Sequence, residues 1–141
     1  MSKKIKKILV PLDGSKNSFR GLNEAILVAR FTHSTITGLY VIPYVRPTRD
    51  VYFASYRQDF LKYAKKFMKK AKILSSKKDI SFSERIQWGN QGLKIVSYAK
   101  NQRFDLIVIG SSGKGLAKRF FLGSTSNYVV HKSKVPVLII K

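Results

Sequence analysis

Leu106-Ile-Val-Ile-Gly110-Ser-Ser-Gly113, followed after nine residues by Gly123-Ser-Thr125, runs from an apolar segment through a glycine loop to a hydroxyl-rich stretch. Leu106–Ile109 has no polar alternation, the pattern of a strand covered on both faces. Ser124-Thr-Ser-Asn127, ahead of Tyr128, Val129 and Val130, reads as the start of a helix. Glycines let a backbone approach a ligand with no Cβ in the way and take positive φ at low cost. Hydroxyls at a helix N-terminus add donors to its unpaired N–H groups and to the positive end of its dipole. Strand, loop and helix together make a cradle for a phosphate chain.

Upstream, Phe104–Ile109 is preceded by helical spacing over Gln91–Gln102, with Leu93, Ile95, Val96 and Ala99 on one face. Ile80, Phe82, Ile86 and Trp88 alternate with Ser81, Ser83, Arg85 and Gln87, so this strand has one wet face and belongs at a sheet edge. From about Ser55, Phe60, Ala64, Phe67, Ala71 and Leu74 define the apolar face of another helix, with lysines on the rest. Pro43–Tyr56 reads as a long loop, a lid or packing segment with Tyr44, Tyr52, Phe53 and Tyr56 interleaved with Arg46 and Arg49. Thr35–Tyr44 and Ile5–Leu12 are strands, flanking a helix over Lys16–Phe31 that Ser15 or Asn17 can cap. Downstream lie a short helix, Ser124–Ser133, and an apolar strand, Pro136–Lys141. Strands and helices alternate, which predicts one α/β domain over residues 1–141: a doubly wound parallel five-stranded sheet with helices on both faces.

Composition narrows the function classes. With 44% hydrophobic residues the chain can fold around a core, and no apolar run approaches the roughly 18 residues of a membrane span. The basic start, Met1-Ser-Lys-Lys-Ile-Lys-Lys, leads into an apolar run that Pro11 and Asp13 cut too short for a signal peptide, so a cytoplasmic location is expected. Without cysteine there is neither disulfide nor thiolate chemistry. Twenty-eight Lys and Arg against seven Asp and Glu give a net charge of +21. Such a charge attracts polyanions, nucleic acid among them, without choosing one. Eight of the lysines fall between Lys62 and Lys78, where they also serve as a solvated helix face.

In open parallel sheets, ligands bind beyond the carboxyl ends of strands where the strand order reverses. Pro11-Leu-Asp-Gly-Ser15 and Gly110-Ser-Ser-Gly113 both sit at such ends. If their strands are neighbours, Asp13 faces the glycine loop. A carboxylate there repels phosphates but accepts hydrogen bonds from a ribose hydroxyl or an adenine amino group. Asp13 then serves the nucleoside end, and Gly110 to Thr125 the phosphate end.

On these residues the chain resembles the universal stress protein family, over essentially its whole length. Gly110, Gly113, Gly123 and Ser124 meet the family's Gly-x2-Gly-x9-Gly-Ser/Thr nucleotide-binding pattern in full, with Asp13 in place after the first strand. The resemblance implies strand order 3-2-1-4-5 and an adenine-nucleotide ligand, ATP or else AMP or ADP, with Mg²⁺ accompanying ATP. It implies that Pro11, Asp13 and Val41 surround adenine and ribose. Ile109, Gly110, Ser112 and Gly113 would line the pocket, and Gly123, Ser124 and Thr125 would hold the phosphates. Ser112 stands where many members have His, and Lys114 where Arg is frequent. A homodimer pairing residues 136–141 across a two-fold axis is also implied, and would cover an apolar edge strand.

Other residues attract attention without carrying chemistry. His33 and His131 lie near helix C-termini, where the dipole favours a cation; they identify neither a catalytic group nor a metal site. The Gly-x4-Gly-Lys-Ser/Thr loop of ATPases is absent, and Asp13 is the one acid placed in the crevice. Lys114, Lys118 and Arg119 could screen phosphates or be solvated like the other cations. Three readings follow: a dimeric, nucleotide-binding regulatory or sensor module of the stress response, with an unknown protein partner; a slow ATP hydrolase; or a basic protein that binds nucleic acid.

Overall fold

The computed structural model describes residues 4–43, 52–112 and 122–141. Its elements follow in the order β1 Lys7–Pro11, α1 Lys16–Thr32, β2 Thr35–Ile42, α2 Tyr52–Ser76, β3 Phe82–Trp88, α3 Gln91–Asn101, β4 Leu106–Gly110, α4 Ser124–Lys132 and β5 Val137–Ile140. The five strands are all parallel and stand in the order β3-β2-β1-β4-β5. The expected topology is therefore observed, with the alternating strand β3 at one edge and the apolar β5 at the other.

Side-chain alternation divides the core between the two faces of this sheet. Ile8 and Val10 of β1, Ile36, Tyr40 and Ile42 of β2, and Val108 of β4 pack under α1 and α2. Leu9, Leu39, Val41, Ile107 and Ile109 point the other way, onto α3 and α4. Burial on both faces explains why β1 and β4 read as continuous apolar runs. Each fully buried Ile or Leu contributes about 1.5–3 kcal/mol by leaving water.

Ser15 is the N-cap of α1, accepting a hydrogen bond from the Ser18 N–H at 3.1 Å. Asn90 caps α3 in the same way through Leu93 N. Strand ends shift by a residue or two from expectation, and the start of α2 shifts more. Tyr52–Tyr56 belong to α2 rather than to the preceding loop, so the helix begins nearer the strand ends than the aromatic-rich sequence suggests. Residues 44–51 of that segment, with Tyr44, Arg46 and Arg49, lie outside the described residues.

Candidate functional site

Chain connections leave β1 in one direction, through α1 to β2, and reach β4 from the other, through α3. The carboxyl ends of β1 and β4 consequently diverge into a crevice of about 770 Å³. Its walls differ in character. One is built by the β1–α1 turn, the end of β2 and the first turns of α2; the other by the end of β4 and the start of α4.

At the β1 side, Asp13 is held by its own turn: the Ser15 N–H donates to Asp13 Oδ1 at 2.9 Å. Tyr63, from α2, donates its hydroxyl proton to the Asp13 backbone oxygen at 3.0 Å. Gly14 has φ 83 and sits against the Tyr63 ring, where a Cβ would lie 2.8 Å from Tyr63 Cζ; this turn needs glycine for both reasons. Tyr40, Tyr63 and Phe67 stack edge to face around it, with Tyr40–Phe67 ring centroids 5.0 Å apart. Burial first, then the neighbouring Tyr63, Asp13 and Tyr56, push the Tyr40 phenol up from 10.0 to about 12. Tyr40 is therefore neutral at physiological pH.

At the β4 side, Gly110 is a packing requirement more than a ligand contact. A Cβ on it would stand 2.6 Å from the Asn17 backbone oxygen, so the glycine lets the start of α1 close onto the end of β4. Asn17 Nδ2 donates to the Ser112 carbonyl, fastening the same junction. The neck of the glycine loop is closed by the Gly123 N–H, which donates to Ser111 O at 2.7 Å. Ser126 Oγ also reaches Ser111 O, at 2.6 Å. Gly123 has φ −64, an ordinary value, so it is not there for positive φ.

The helix that follows has no side-chain cap. Its first amides lack intrahelical acceptors, as in any α-helix, and Ser124, Thr125 and Ser126 all line the crevice. Thr125 Oγ1 donates to Gln91 Oε1 at 3.1 Å, while Gln91 Nε2 donates to Val41 O at 3.3 Å. Gln91 thus braces the end of β2 against the start of α4, across the crevice floor. Uncapped amides with hydroxyls alongside suit an anion of phosphate size.

Of the eleven residues expected at the site, Pro11, Asp13, Val41, Ile109, Gly110, Ser112, Gly123, Ser124 and Thr125 all line this crevice. Gly113 and Lys114 lie outside the described residues, as do Lys118 and Arg119. Sequence reasoning missed Gln91, Asn17 and the α2 contribution of Tyr56, Asp59, Phe60 and Tyr63. Asp59 also corrects the expectation of Asp13 as the crevice's one acid. Asn17 carried a usable signal: a first-turn Asn beside a better-placed N-cap, Ser15, is available for another partner.

Among known proteins, the model of the universal stress protein family matches residues 4–141. A universal stress protein of Synechocystis sp. is 31% identical, the match covering 96% of this chain and 97% of that protein. One of Methanocaldococcus jannaschii is 27% identical, over 96% of this chain and 82% of the relative. Among solved structures, universal stress protein UspA from Lactobacillus plantarum superposes with a TM-score of 0.90 at 28% identity, over 99% of this chain and all (100%) of that one. Two further folds were solved with ligands. A universal stress protein in complex with cAMP has a TM-score of 0.76 at 22% identity, covering 99% of both chains. That from Archaeoglobus fulgidus in complex with dAMP has a TM-score of 0.75 at 24% identity, covering 96% of this chain and 98% of the other. Sequence, strand order and superposition agree, and the chain belongs to the universal stress protein family.

Proposed function

We propose that the crevice binds an adenine nucleotide, and that the chain is a binding module of the stress response, regulatory or sensory, rather than an efficient hydrolase. One observation carries this reading: the uncapped start of α4, with Gly123, Ser124 and Thr125, opens into the same crevice as Asp13 and Val41. The first supplies donors for phosphate, the second an acceptor and an apolar wall for the nucleoside. The cAMP and dAMP held by two proteins of the same fold support an adenine ligand. ATP is the expected occupant, because the complete Gly-x2-Gly-x9-Gly-Ser pattern accompanies ATP in the family it resembles.

The residues present fit such a ligand. A crevice of about 770 Å³ lies within the range of small-molecule and cofactor sites. ATP would bring a triphosphate whose charge is met by backbone amides at the start of α4. Mg²⁺ would arrive on the phosphates. The described residues include no group of three or more His, Cys, Asp or Glu arranged to hold a metal, and both crevice carboxylates lie on the nucleoside wall. Phosphoryl transfer to water relies on a positioned metal and a group that orients the water. Nothing at the α4 end supplies either among the described residues, which favours binding over turnover.

Dimerisation through residues 136–141 belongs to the same proposal. β5 is an edge strand with Leu138 39% exposed, an apolar ladder open to a second copy. Sedimentation of the wild type should give a dimer and Leu138→Lys should shift it toward monomer; a wild-type monomer at micromolar concentration contradicts this part. Nucleotide binding is tested by titrating the protein with ATP and AMP and following phosphate release in parallel. Saturable binding without release above the blank supports the reading, whereas release abolished by Gly123→Val would favour the slow hydrolase.

A further inference from the structure

The three hydroxyls at the head of α4 differ in where each proton goes. A serine or threonine hydroxyl has one proton to donate, and its lone pairs accept. Ser126 is buried and directs its proton at the backbone oxygens of Ser111 and Gly123, at 2.6 and 3.0 Å. Ser124 is exposed, and its hydroxyl has no hydrogen-bond partner among the described residues. Thr125 is half-buried, lines the crevice, and has its Oγ1 3.1 Å from Gln91 Oε1. Gln91 fixes the direction of that bond. Its Nε2 lies 3.3 Å from the Val41 backbone oxygen, which can only accept, so the amide turns its NH₂ to Val41 and its carbonyl to Thr125. That carbonyl also only accepts. Thr125 therefore commits its single proton to Gln91, and any bond Oγ1 makes into the crevice must use a lone pair.

We infer that Thr125, held as an acceptor by Gln91, takes a hydrogen bond from a sugar hydroxyl of the nucleotide instead of donating to its phosphates. Gln91 is the positioning residue for that contact. The inference rests on the nucleotide reading of the crevice and deepens it. A lone pair repels the oxygens of an ionised phosphate. Turning the Thr125 proton toward a phosphate would leave Gln91 Oε1, on a half-buried side chain, without its donor. Ser124 and the first amides of α4 can meet the phosphate with no such loss. An ionised adenine nucleotide carries donors in two places, the base amino group and the sugar hydroxyls. The amino group stands at the far end of the molecule from the phosphates. The sugar is bonded directly to them, and Thr125 belongs to the same helical turn as the amides that would receive them. Asp13 on the opposite wall is an acceptor as well, and a ribose has two hydroxyls to offer two acceptors.

The test titrates the intact protein with ATP, 2′-deoxy-ATP, 3′-deoxy-ATP and adenosine. Wild type should bind one of the two deoxynucleotides about tenfold more weakly than ATP, because the missing hydroxyl leaves an acceptor unmet. Thr125→Val should lower ATP affinity by the same factor, about tenfold, while that deoxynucleotide stays within about twofold and the ATP-to-adenosine ratio within about threefold. Unchanged binding of the deoxynucleotide also shows the fold intact. Gln91→Met frees the Thr125 proton, so the discrimination should fall below about threefold while the ATP-to-adenosine ratio rises. A merely structural role for Gln91 would lower all the affinities together, and that result overturns its assignment, as does wild-type discrimination retained in Gln91→Met. Wild type that binds ATP and both deoxynucleotides alike overturns the inference and leaves the crevice reading standing. So does a Thr125→Val protein that keeps the discrimination, or one that loses ATP but not adenosine, which would make Thr125 a phosphate donor. Wild-type protein that binds none of these ligands contradicts the crevice reading itself, and this inference falls with it.

Discussion

The two walls of the crevice solve opposite problems. The α2 wall presents Asp13 and Asp59 among Tyr40, Tyr56, Phe60 and Tyr63, and is aromatic and acidic. The α4 wall presents Gly110, Ser112, Gly123, Ser124, Thr125 and Ser126, and is small, hydroxylic and topped by an uncapped helix. No Lys or Arg is among the described lining residues, in a chain whose net charge is +21. Among the described residues, then, the donors on offer to a phosphate stand at one wall and the carboxylates at the other.

Substitutions at each wall can break or sharpen that contrast. The largest effect is expected at Gly110→Val. Its side chain meets the backbone of Asn17, which cannot move without opening the α1–β4 junction; the cost should be about 3 kcal/mol in urea unfolding, with nucleotide binding lost as well. Gly123→Val comes next. The new Cβ lies 3.3 Å from Ser112 Cα and its branches crowd the phosphate end. ATP affinity should fall about 100-fold, equivalent to ~2.7 kcal/mol, while adenosine binding changes little. An equal loss for both ligands would erase the distinction between the walls.

Asp13→Ala should behave in the opposite sense, weakening adenosine and ATP by the same factor, about tenfold. It also removes the acceptor for the Ser15 N–H, at a cost of about 1 kcal/mol in stability. Asp13→Asn keeps that acceptor, so it should restore stability ahead of affinity. A last contrast is a pH dependence, invisible at neutral pH. Because the folded Tyr40 pKa is raised from 10.0 to about 12, its neutral form is favoured by folding. The resulting stability is fully present below pH 10, and is lost as pH rises through the window from 10 to about 12. Tyr40→Phe should flatten that part of a stability profile measured by chemical denaturation.

The fold was legible because burial writes itself into periodicity. Unbroken apolar runs marked β1 and β4 as covered on both faces, and alternation in Ile80–Trp88 marked β3 as an edge. The β4 half of the site was legible too, since glycines and hydroxyls directly after a buried strand mark a backbone open to close approach. Two of its glycines also have packing duties that the sequence did not announce, Gly110 admitting α1 and Gly123 bonding to Ser111. Less could be read of the α2 wall. Helical spacing says which residues of α2 face the sheet, but not how far its first turns overhang the strand ends. That overhang is what carries Tyr56, Asp59 and Phe60 to the crevice. Gln91 was hidden for a similar reason: its two partners, Val41 and Thr125, come from distant parts of the chain.

The central claim is that an adenine nucleotide occupies the crevice between these walls. Denaturing the purified protein, identifying any released nucleotide by mass spectrometry, and titrating emptied protein with ATP tests it most directly. The account predicts an adenine nucleotide, carried through purification or bound on addition, at one per chain and lost in Gly123→Val. Protein that is empty as isolated, and that binds none of added ATP, ADP or AMP, would contradict it.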